Sequence, residues 1–238
     1  TTNVASSDLT LIGQVSGESI SIAGTGSVTD KNVGSGKTID ISGLSLSDGS
    51  HSASNYTIGT TSFAITRRNL SIGGEKVYDG TGTVLASQID TVNTAGGETL
   101  TISGEGSVSL PSVGTNKSIT LLTLGISDGT NGTIGLASNY TLDSGSFDIT
   151  TKPITLSGSR QYDGTTDAAS SDLTLIGQVS GESISITGTG SVTDKNVGAG
   201  KTINTTGLSL ADNTSNASNY SLSTGTFTIN NKILSISG

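Results

Sequence analysis

The sequence has no cysteine, methionine or tryptophan, and only two prolines and one histidine among 238 residues. Without cysteine, the chain cannot form a disulfide framework or a thiolate zinc site. No apolar run approaches the roughly 18 residues of a membrane span, and no N-terminal segment has the pattern of a signal peptide. Eleven basic residues against 19 acidic ones leave no basic patch, so we expect no nucleic-acid partner.

Hydrophobic residues make up only 31% of the chain, and 34 residues are glycine. This composition fits either a disordered chain or a series of thin cores built from small residues. Internal repetition decides between them. The segment Ala5–Ile22 returns unchanged at Ala169–Ile186, and Gly24–Gly34 returns unchanged at Gly188–Gly198.

A more diverged copy lies between these segments, so three repeats of about 80 residues fill the chain. The predicted boundaries are 1–74 (repeat 1), 75–158 (repeat 2) and 159–238 (repeat 3). Repeat 1 lacks the Tyr-Asp-Gly strand that begins repeats 2 and 3, and repeat 3 ends with the start of a further first strand.

The few aromatic residues occupy corresponding positions in the repeats, which a disordered chain would not require. Each small core needs one or two bulky side chains, so we predict that these residues are structural. They are Tyr56, Tyr140, Tyr220, Tyr78, Tyr162, Phe63, Phe147 and Phe227.

Alternation of polar and apolar residues with period two predicts β-strands separated by glycine- and asparagine-containing turns. The predicted fold class is all-β: three tandem small β-sandwich (Ig-like) domains in an elongated rod with very short linkers. β-Grasp-like modules and a β-solenoid are the alternatives. The clearest predicted strands are Glu18–Ala23, Thr99–Ser103, Glu182–Thr187, Leu70–Ile72, Ile154–Leu156 and Leu234–Ile236.

An ordered series of short motifs resembles the YDG-type tandem repeats of filamentous-haemagglutinin-like surface adhesins. The resemblance implies an extracellular stalk of a Gram-negative bacterial adhesin exported by two-partner secretion, acting in cell adhesion or biofilm formation. It implies that a host-cell or biofilm-matrix ligand binds elsewhere in the full-length protein. The motifs are Lys76-Val77-Tyr78-Asp79-Gly80-Thr81, Gly17-Glu18, Lys31-Asn32-Val33-Gly34, Gly43-Leu44-Ser45-Leu46, Asn55-Tyr56 and Phe63-Ala64-Ile65-Thr66.

The Tyr-Asp-Gly motif has two interpretations. In the first, Tyr packs, Asp bonds its own turn and Gly supplies a positive φ. In the second, Asp79 and Asp163 are calcium ligands. Calcium requires six to eight oxygen ligands, and no Asp-rich loop is present, so the structural turn is favoured and we predict no metal site.

A lysine, an asparagine and a glutamate recur in all three repeats, and these residue types form intramolecular isopeptide crosslinks in some surface proteins. Such a bond requires a buried neutral lysine beside the amide, which nothing in the sequence indicates. Exposed cross-strand Glu–Lys pairs are the simpler interpretation. The candidates are Lys37, Asn55 and Glu18; Lys117, Asn139 and Glu98; and Lys201, Asn219 and Glu182.

We expect no enzymatic activity, no catalytic residue and no cofactor. The one histidine, His51, corresponds to Ser215 in repeat 3, so no histidine-based site recurs. Ligand binding through loops is the alternative function. Its best candidate is the loop that only repeat 2 has in long form, with Gly129, Thr130, Asn131, Gly132 and Thr133 as candidate binding residues.

The two ends of the sequence suggest one further partner. Leu234–Gly238 aligns with Leu70–Gly74, so it begins a strand of a further repeat. Repeat 1 lacks the corresponding strand, so we expect it to have an unpaired edge and to be the least stable repeat. Head-to-tail strand exchange with a neighbouring molecule would complete it.

Overall fold

A computed structural model describes residues 2–59, 62–91, 93–143 and 145–238, and these residues form an all-β protein. The predicted all-β class is therefore confirmed. None of the helices in these residues is long and apolar enough to cross a membrane. They are single 3-10 turns at Ser6–Asp8, Ala53–Asn55, Ala86–Gln88, Ala95–Gly97, Ala137–Asn139, Ser170–Asp172 and Ala217–Asn219.

The strands of repeat 1 are β1 (Asn3–Ala5), β2 (Ile20–Val28), β3 (Gly34–Asp40), β4 (Leu44–Asp48) and β5 (Ser62–Ile65). They follow the order β1-β2-β3-β5, and β4 also pairs with β2. All of these pairings are antiparallel. Val4, Val28 and Ile39 form the buried core, against which Phe63 and Ile65 pack.

We count a strand with the repeat whose sheet it joins, so repeat 2 begins here at Arg68 and not at the predicted residue 75. Repeat 2 distributes its strands over three sheets, which include parallel as well as antiparallel pairs. The strands are β6 (Arg68–Leu70), β7 (Ile72–Val77), β8 (Thr83–Leu85), β9 (Ile89–Thr91), β10 (Glu98–Ser103), β11 (Glu105–Val108), β12 (Gly114–Thr120), β13 (Gly125–Asp128), β14 (Thr133–Ile134), β15 (Tyr140–Leu142) and β16 (Ser146–Thr150). The sheets have the orders β8-β11-β12-β16-β7-β9, β13-β10-β14 and β15-β6.

Repeat 3, counted in the same way, begins at Lys152 and not at the predicted residue 159. Its strands are β17 (Lys152–Gln161), β18 (Asp167–Ala169), β19 (Leu173–Ile176), β20 (Ile184–Val192), β21 (Gly198–Asn204), β22 (Leu208–Asp212), β23 (Tyr220–Leu222) and β24 (Thr226–Asn230). They form one sheet of order β18-β20-β21-β24-β17-β19, with β22 on β20 and β23 on β17. Leu156, Ile203, Phe227 and Ile229 belong to its buried core, each at most 2% exposed.

The chain divides into two compact units that do not coincide with the repeats. The first comprises Thr1–Ser71, Thr91–Ser103 and Gly125–Asp143, and the second comprises the rest. The first unit therefore holds repeat 1 with one part of repeat 2, and the second holds the other part of repeat 2 with repeat 3. The repeat boundaries predicted after residues 74 and 158 fall inside β7 and β17.

We call β6 with β7, and β17, the lead strands, because each lies in the sheets of the residues that follow it. β17 pairs with β19, β23 and β24. The strand predicted at Leu234–Ile236, which corresponds to part of β17, is wrong: Leu234 is 86% exposed and belongs to no strand in the described chain. β17 takes its hydrogen bonds from strands that follow it in the chain, whereas no strand among the described residues pairs with Leu234–Ile236.

Candidate functional site

Each repeat holds a glutamate against a tyrosine of the same repeat. The tyrosine hydroxyl oxygen also accepts a hydrogen bond from a backbone N–H, of Val15, Ala95 or Val179. The recurring Gly-Glu and Asn-Tyr motifs therefore meet at one place in each repeat. The hydroxyl donates to the carboxylate in the pairs Tyr56–Glu18 at 2.5 Å, Tyr140–Glu98 at 2.7 Å and Tyr220–Glu182 at 2.6 Å.

A 3-10 turn positions each Asn-Tyr motif. An aspartate carboxylate accepts a hydrogen bond of 2.7 Å from the first backbone N–H of that turn, which would otherwise lack a partner. The next residue, tyrosine, is extended and leads into the following segment. The pairs are Asp48 with Ala53, Asp128 with Ala137 and Asp212 with Ala217.

In the second compact unit, the tyrosine of the Tyr-Asp-Gly motif joins repeat 2 to repeat 3. The Tyr78 hydroxyl donates a 2.5 Å hydrogen bond to Glu182, whose other carboxylate oxygen binds Tyr220. The two tyrosine rings pack edge to face, with centroids 5.5 Å apart. Burial and the bond to Glu182 raise the pKa of Tyr78 to about 12.

The glycine of the same motif allows this close approach. Gly80 has φ +81°, and a Cβ atom there would lie 2.9 Å from Val179 of repeat 3. A side chain at this position would therefore be strained in its backbone and would collide with the neighbouring repeat. Gly164, its counterpart in repeat 3, has open space around the same position.

The asparagine of the Asn-Tyr motif makes a second contact between repeats. In the second unit, the Asn219 Oδ1 atom accepts a 2.9 Å hydrogen bond from the backbone N–H of Val113. In the first unit, Asn139 accepts the same bond from Val33, also at 2.9 Å, and its amide nitrogen donates to Asn32. The recurring Val-Gly motif of one repeat is thus held by the asparagine of the next.

In the first unit, a lysine of repeat 1 reaches the glutamate of repeat 2. The Lys31 ammonium forms an ion pair with Glu98, which is only 7% exposed and also binds Tyr140. Burial alone would raise the pKa of Glu98. The hydrogen bonds from Lys31 and Tyr140 outweigh it, so the pKa lies below its usual value. Glu98 therefore stays ionised in the fold.

The aspartates of the two Tyr-Asp-Gly motifs are held by basic side chains. The buried Lys76 ammonium binds both oxygens of Asp79, at 2.9 and 3.1 Å, and donates to the Thr81 and Thr83 carbonyls. Arg160 pairs with one carboxylate oxygen of Asp163 and donates to the Thr165 and Asp167 carbonyls. Among the described residues, no three acidic or histidine side chains lie close enough together to hold a metal ion.

Two of the three recurring lysines pair with an aspartate rather than with the recurring glutamate or asparagine. Lys37 lies 2.8 Å from Asp30, and Lys201 lies 2.8 Å from Asp194. Lys117 lies in β12, opposite Phe147 of β16. The glutamates bind tyrosines, and Asn139 and Asn219 bind backbone N–H groups of the preceding repeat.

The predicted structural aromatics differ in burial along the chain. Phe147 and Phe227 are 0% exposed, whereas Phe63 is half-buried. Tyr78, Tyr140 and Tyr220 are buried, while Tyr56 and Tyr162 are half-buried. The less buried members lie in repeat 1 and in the Tyr-Asp-Gly motif of repeat 3.

The candidate binding loop of repeat 2 is attached to a sheet edge. Thr133 and Ile134 form β14, which pairs in parallel with β10. Gly129 is buried, but Thr130, Asn131, Gly132 and Thr133 are exposed. The loop tip is therefore accessible, although its base is held by backbone hydrogen bonds.

Two kinds of residue in the junctions do not stand out in the sequence. Val33 and Val113 each contribute a backbone N–H. Because every residue except proline has this group, no side-chain pattern identifies it as a hydrogen-bond donor in a junction. Lys31 aligns with Pro111 in repeat 2, so it does not recur throughout. In the sequence, the junctions are indicated only by the joint recurrence of Gly-Glu, Asn-Tyr and Val-Gly in every repeat.

Comparison with protein-family models matches the YDG domain three times, at residues 1–63, 66–147 and 149–227. The second and third matches begin before β6 and β17, so each groups a lead strand with the residues that follow it. No curated protein and no solved structure matches the chain. The three matches cover nearly all of the sequence and confirm the predicted tandem repeats, so the chain belongs to the YDG domain family.

Proposed function

We propose that these repeats are a structural spacer in a bacterial surface adhesin, holding a binding region away from the cell. The observation that carries this proposal is the use of recurring polar side chains as joints between repeats. Tyr78 of repeat 2 binds Glu182 of repeat 3, and Asn219 holds Val113. Side chains fixed in this way resist bending at the joint rather than offering a surface to a ligand.

The burial of the aromatic residues supports the same function. Sugar-binding proteins commonly stack exposed aromatic rings on their ligands. Tyr140 and Tyr220 are only 4% and 5% exposed, and their hydroxyls are bound to Glu98 and Glu182. These rings therefore have little free face for a sugar.

The proposed setting follows from the likeness to filamentous-haemagglutinin-like proteins. In it, the repeats lie outside a Gram-negative cell, and other parts of the full-length protein bind a host-cell or biofilm-matrix ligand. The role in adhesion or biofilm formation belongs to that complete protein.

Ligand binding by the repeats themselves is the second candidate function. It is favoured by the exposed tip Thr130–Thr133, which the long loop of repeat 2 alone provides. Hydroxyl and amide groups there could bind a glycan or a protein by hydrogen bonds.

Binding to immobilised glycans and matrix proteins distinguishes the two functions. The control is a variant in which Gly129–Ser138 is replaced by the shorter Gly49–Ser54 sequence of repeat 1. The spacer function predicts no saturable binding by either protein. The spacer function also predicts a result on beads that carry a known binding domain on a surface anchor. The domain should capture more of its ligand when this chain lies between it and the anchor than when the chain is left out. Saturable binding that disappears with the loop replacement would overturn the spacer function.

A further inference from the structure

The first and last strands of repeat 3 lie side by side and run in the same direction. β17 pairs in parallel with β24, from Ser157 opposite Thr226 to Gln161 opposite Asn230. β17 lies between β24 and β19 in the sheet, and its first residues also pair with β23. This lead strand is therefore held along its whole length by strands that follow it in the chain.

The part of repeat 2 in the second compact unit has the same arrangement. β7 pairs in parallel with β16 over the segment Gly73–Val77. In both repeats, the tyrosine of the Tyr-Asp-Gly motif extends this pairing, because its backbone N–H donates to the carbonyl of the last residue of the last strand. These bonds join Tyr78 to Thr150 at 2.9 Å and Tyr162 to Asn230 at 2.8 Å.

Very short segments connect the repeats, so tension along the chain reaches these strands directly. Only Thr151 lies between β16 and β17, and only Thr66 and Arg67 lie between β5 and β6. Such tension acts at the N-terminal end of a lead strand and at the C-terminal end of the last strand in the same repeat. Because the two strands are parallel, the tension pulls them in opposite directions along their length and slides one past the other.

Sliding loads the hydrogen bonds between two strands together, whereas separating the strands from one end loads the bonds one after another. The bonds between parallel strands are evenly spaced, so all of them are displaced at once when β17 moves along its own axis. Each bond contributes little by itself, but in sliding the bonds share the load. The direction of the pull therefore decides how large a force the pair withstands.

The side chains of β17 also oppose sliding. Ile154 and Leu156 are 0% and 2% exposed, and a shift by one residue would turn both to the other face of the sheet. A shift by two residues under tension would bring Arg160 to the place of Gly158. A Cβ atom at that place would lie 2.9 Å from the Phe227 ring, which is closer than Cβ atoms approach other atoms. Neither neighbouring register is therefore open to the strand.

We propose that repeats 2 and 3 bear mechanical load through a shear clamp, by which we mean the parallel pairs β7–β16 and β17–β24. The shear clamp resists tension along the chain but yields readily to a force that separates its strands from one end. This function goes beyond that of a spacer, because a spacer needs only to set a distance. The load is the tension that the chain itself transmits, so the function requires no bound ligand.

Pulling repeat 3 of the full chain between two cysteine handles tests the shear clamp, because the chain has no cysteine of its own. In the shear variant, Thr151→Cys and Asn231→Cys lie just outside β17 and β24 and load the pair along its length. In the peeling variant, Gln161→Cys and Asn231→Cys lie at the same end of the pair and separate its strands from that end. Gln161 and Asn231 are both exposed, and the two variants share one handle.

Optical tweezers measure the force at which each variant unfolds at the same loading rate. We expect the shear variant to unfold at a force at least about twofold higher than the peeling variant. The event should release the segment of about 80 residues between the shear handles, which spans about 260 to 290 Å when extended. Equal forces, or a lower force for the shear variant, would overturn the proposal.

Urea unfolding of the same two variants is the control for stability. Both should have the urea midpoint of the wild type, since the unfolding force depends on the barrier to unfolding rather than on its equilibrium free energy. A weaker peeling variant that also has a lower urea midpoint would contradict the shear clamp, because the force would then report on stability. The bead-capture experiment measures reach and this one measures resistance to force, so either function can fail without the other.

Discussion

The hydroxyl of Tyr78 donates a 2.5 Å hydrogen bond to the Glu182 carboxylate, 104 residues later in the chain. This bond links the Tyr-Asp-Gly motif of repeat 2 to the Gly-Glu motif of repeat 3. The same carboxylate binds Tyr220, so one acidic side chain is shared between an internal contact and a junction. The recurring motifs are therefore joints as well as core elements.

Removing the Tyr78 hydroxyl should weaken the second compact unit. Tyr78→Phe keeps the ring contact with Tyr220 but loses a hydrogen bond to a charged acceptor, so we expect a loss of about 1.5 to 3 kcal/mol in the free energy of unfolding. Urea unfolding measures it. Tyr162→Phe is the matched control, because Tyr162 is half-buried in repeat 3, and it should change stability by less than about 0.5 kcal/mol. Equal effects of the two changes would contradict the assignment.

The raised pKa of Tyr78 predicts a loss of stability at high pH. Since its pKa in the fold is about 12, against about 10 in the unfolded chain, the unfolded state loses this proton first. The stabilisation is complete below about pH 10 and is lost as the pH rises towards about 12, by up to about 1.4 kcal/mol per pH unit. Urea unfolding from pH 9 to 12 should therefore show a steeper decline for wild type than for Tyr78→Phe. Parallel curves would show that Tyr78 titrates normally.

The asparagine contact should matter only where a preceding repeat is present. Asn219→Ala leaves the partly buried Val113 N–H without its acceptor, which should cost about 1 to 3 kcal/mol. Hydrogen exchange at the Val113 amide should accelerate in this variant. Asn55→Ala, at the exposed counterpart in repeat 1, should change stability by less than about 0.5 kcal/mol. Unchanged exchange at Val113 in Asn219→Ala would rule out this contact.

The buried Lys76 should tolerate arginine but not methionine. Its ammonium binds Asp79 and the Thr81 and Thr83 carbonyls, so Lys76→Met leaves these acceptors unsatisfied and should cost about 2 to 3 kcal/mol. Arg160 fills the same position in repeat 3, and Lys76→Arg should remain within about 1 kcal/mol of wild type. Thermal unfolding compares the two, and a stable Lys76→Met protein would contradict the role assigned to Lys76.

The local strands were accessible from sequence because alternation with period two reports directly on a half-buried strand. The segment predicted at Thr99–Ser103 lies within β10, and that at Ile154–Leu156 lies within β17. The prediction at Leu234–Ile236 failed for a physical reason. A lead strand forms only when later strands bind it, and alternation within the segment carries no information about them.

The junctions were not accessible in the same way. Periodicity places Glu182 and Asn219 within a repeat but does not show that Tyr78 or Val113 of another repeat reaches them. The recurrence of lysine, asparagine and glutamate suggested that the three act together. In the structure, Lys201 binds Asp194 while the other two serve the junction. The elongated rod stays a prediction that small-angle scattering can test.

The most direct test of the joint between repeats is a double-mutant cycle on Tyr78→Phe and Glu182→Gln. Tyr78→Phe keeps the ring contact with Tyr220, and both variants keep the size of the side chain. Glu182→Gln leaves a single acceptor oxygen, which Tyr78 and Tyr220 cannot both use. We expect a coupling energy of at least about 1 kcal/mol in urea unfolding. Additive effects, with a coupling energy of about zero, would show that the two repeats are not held together by this bond.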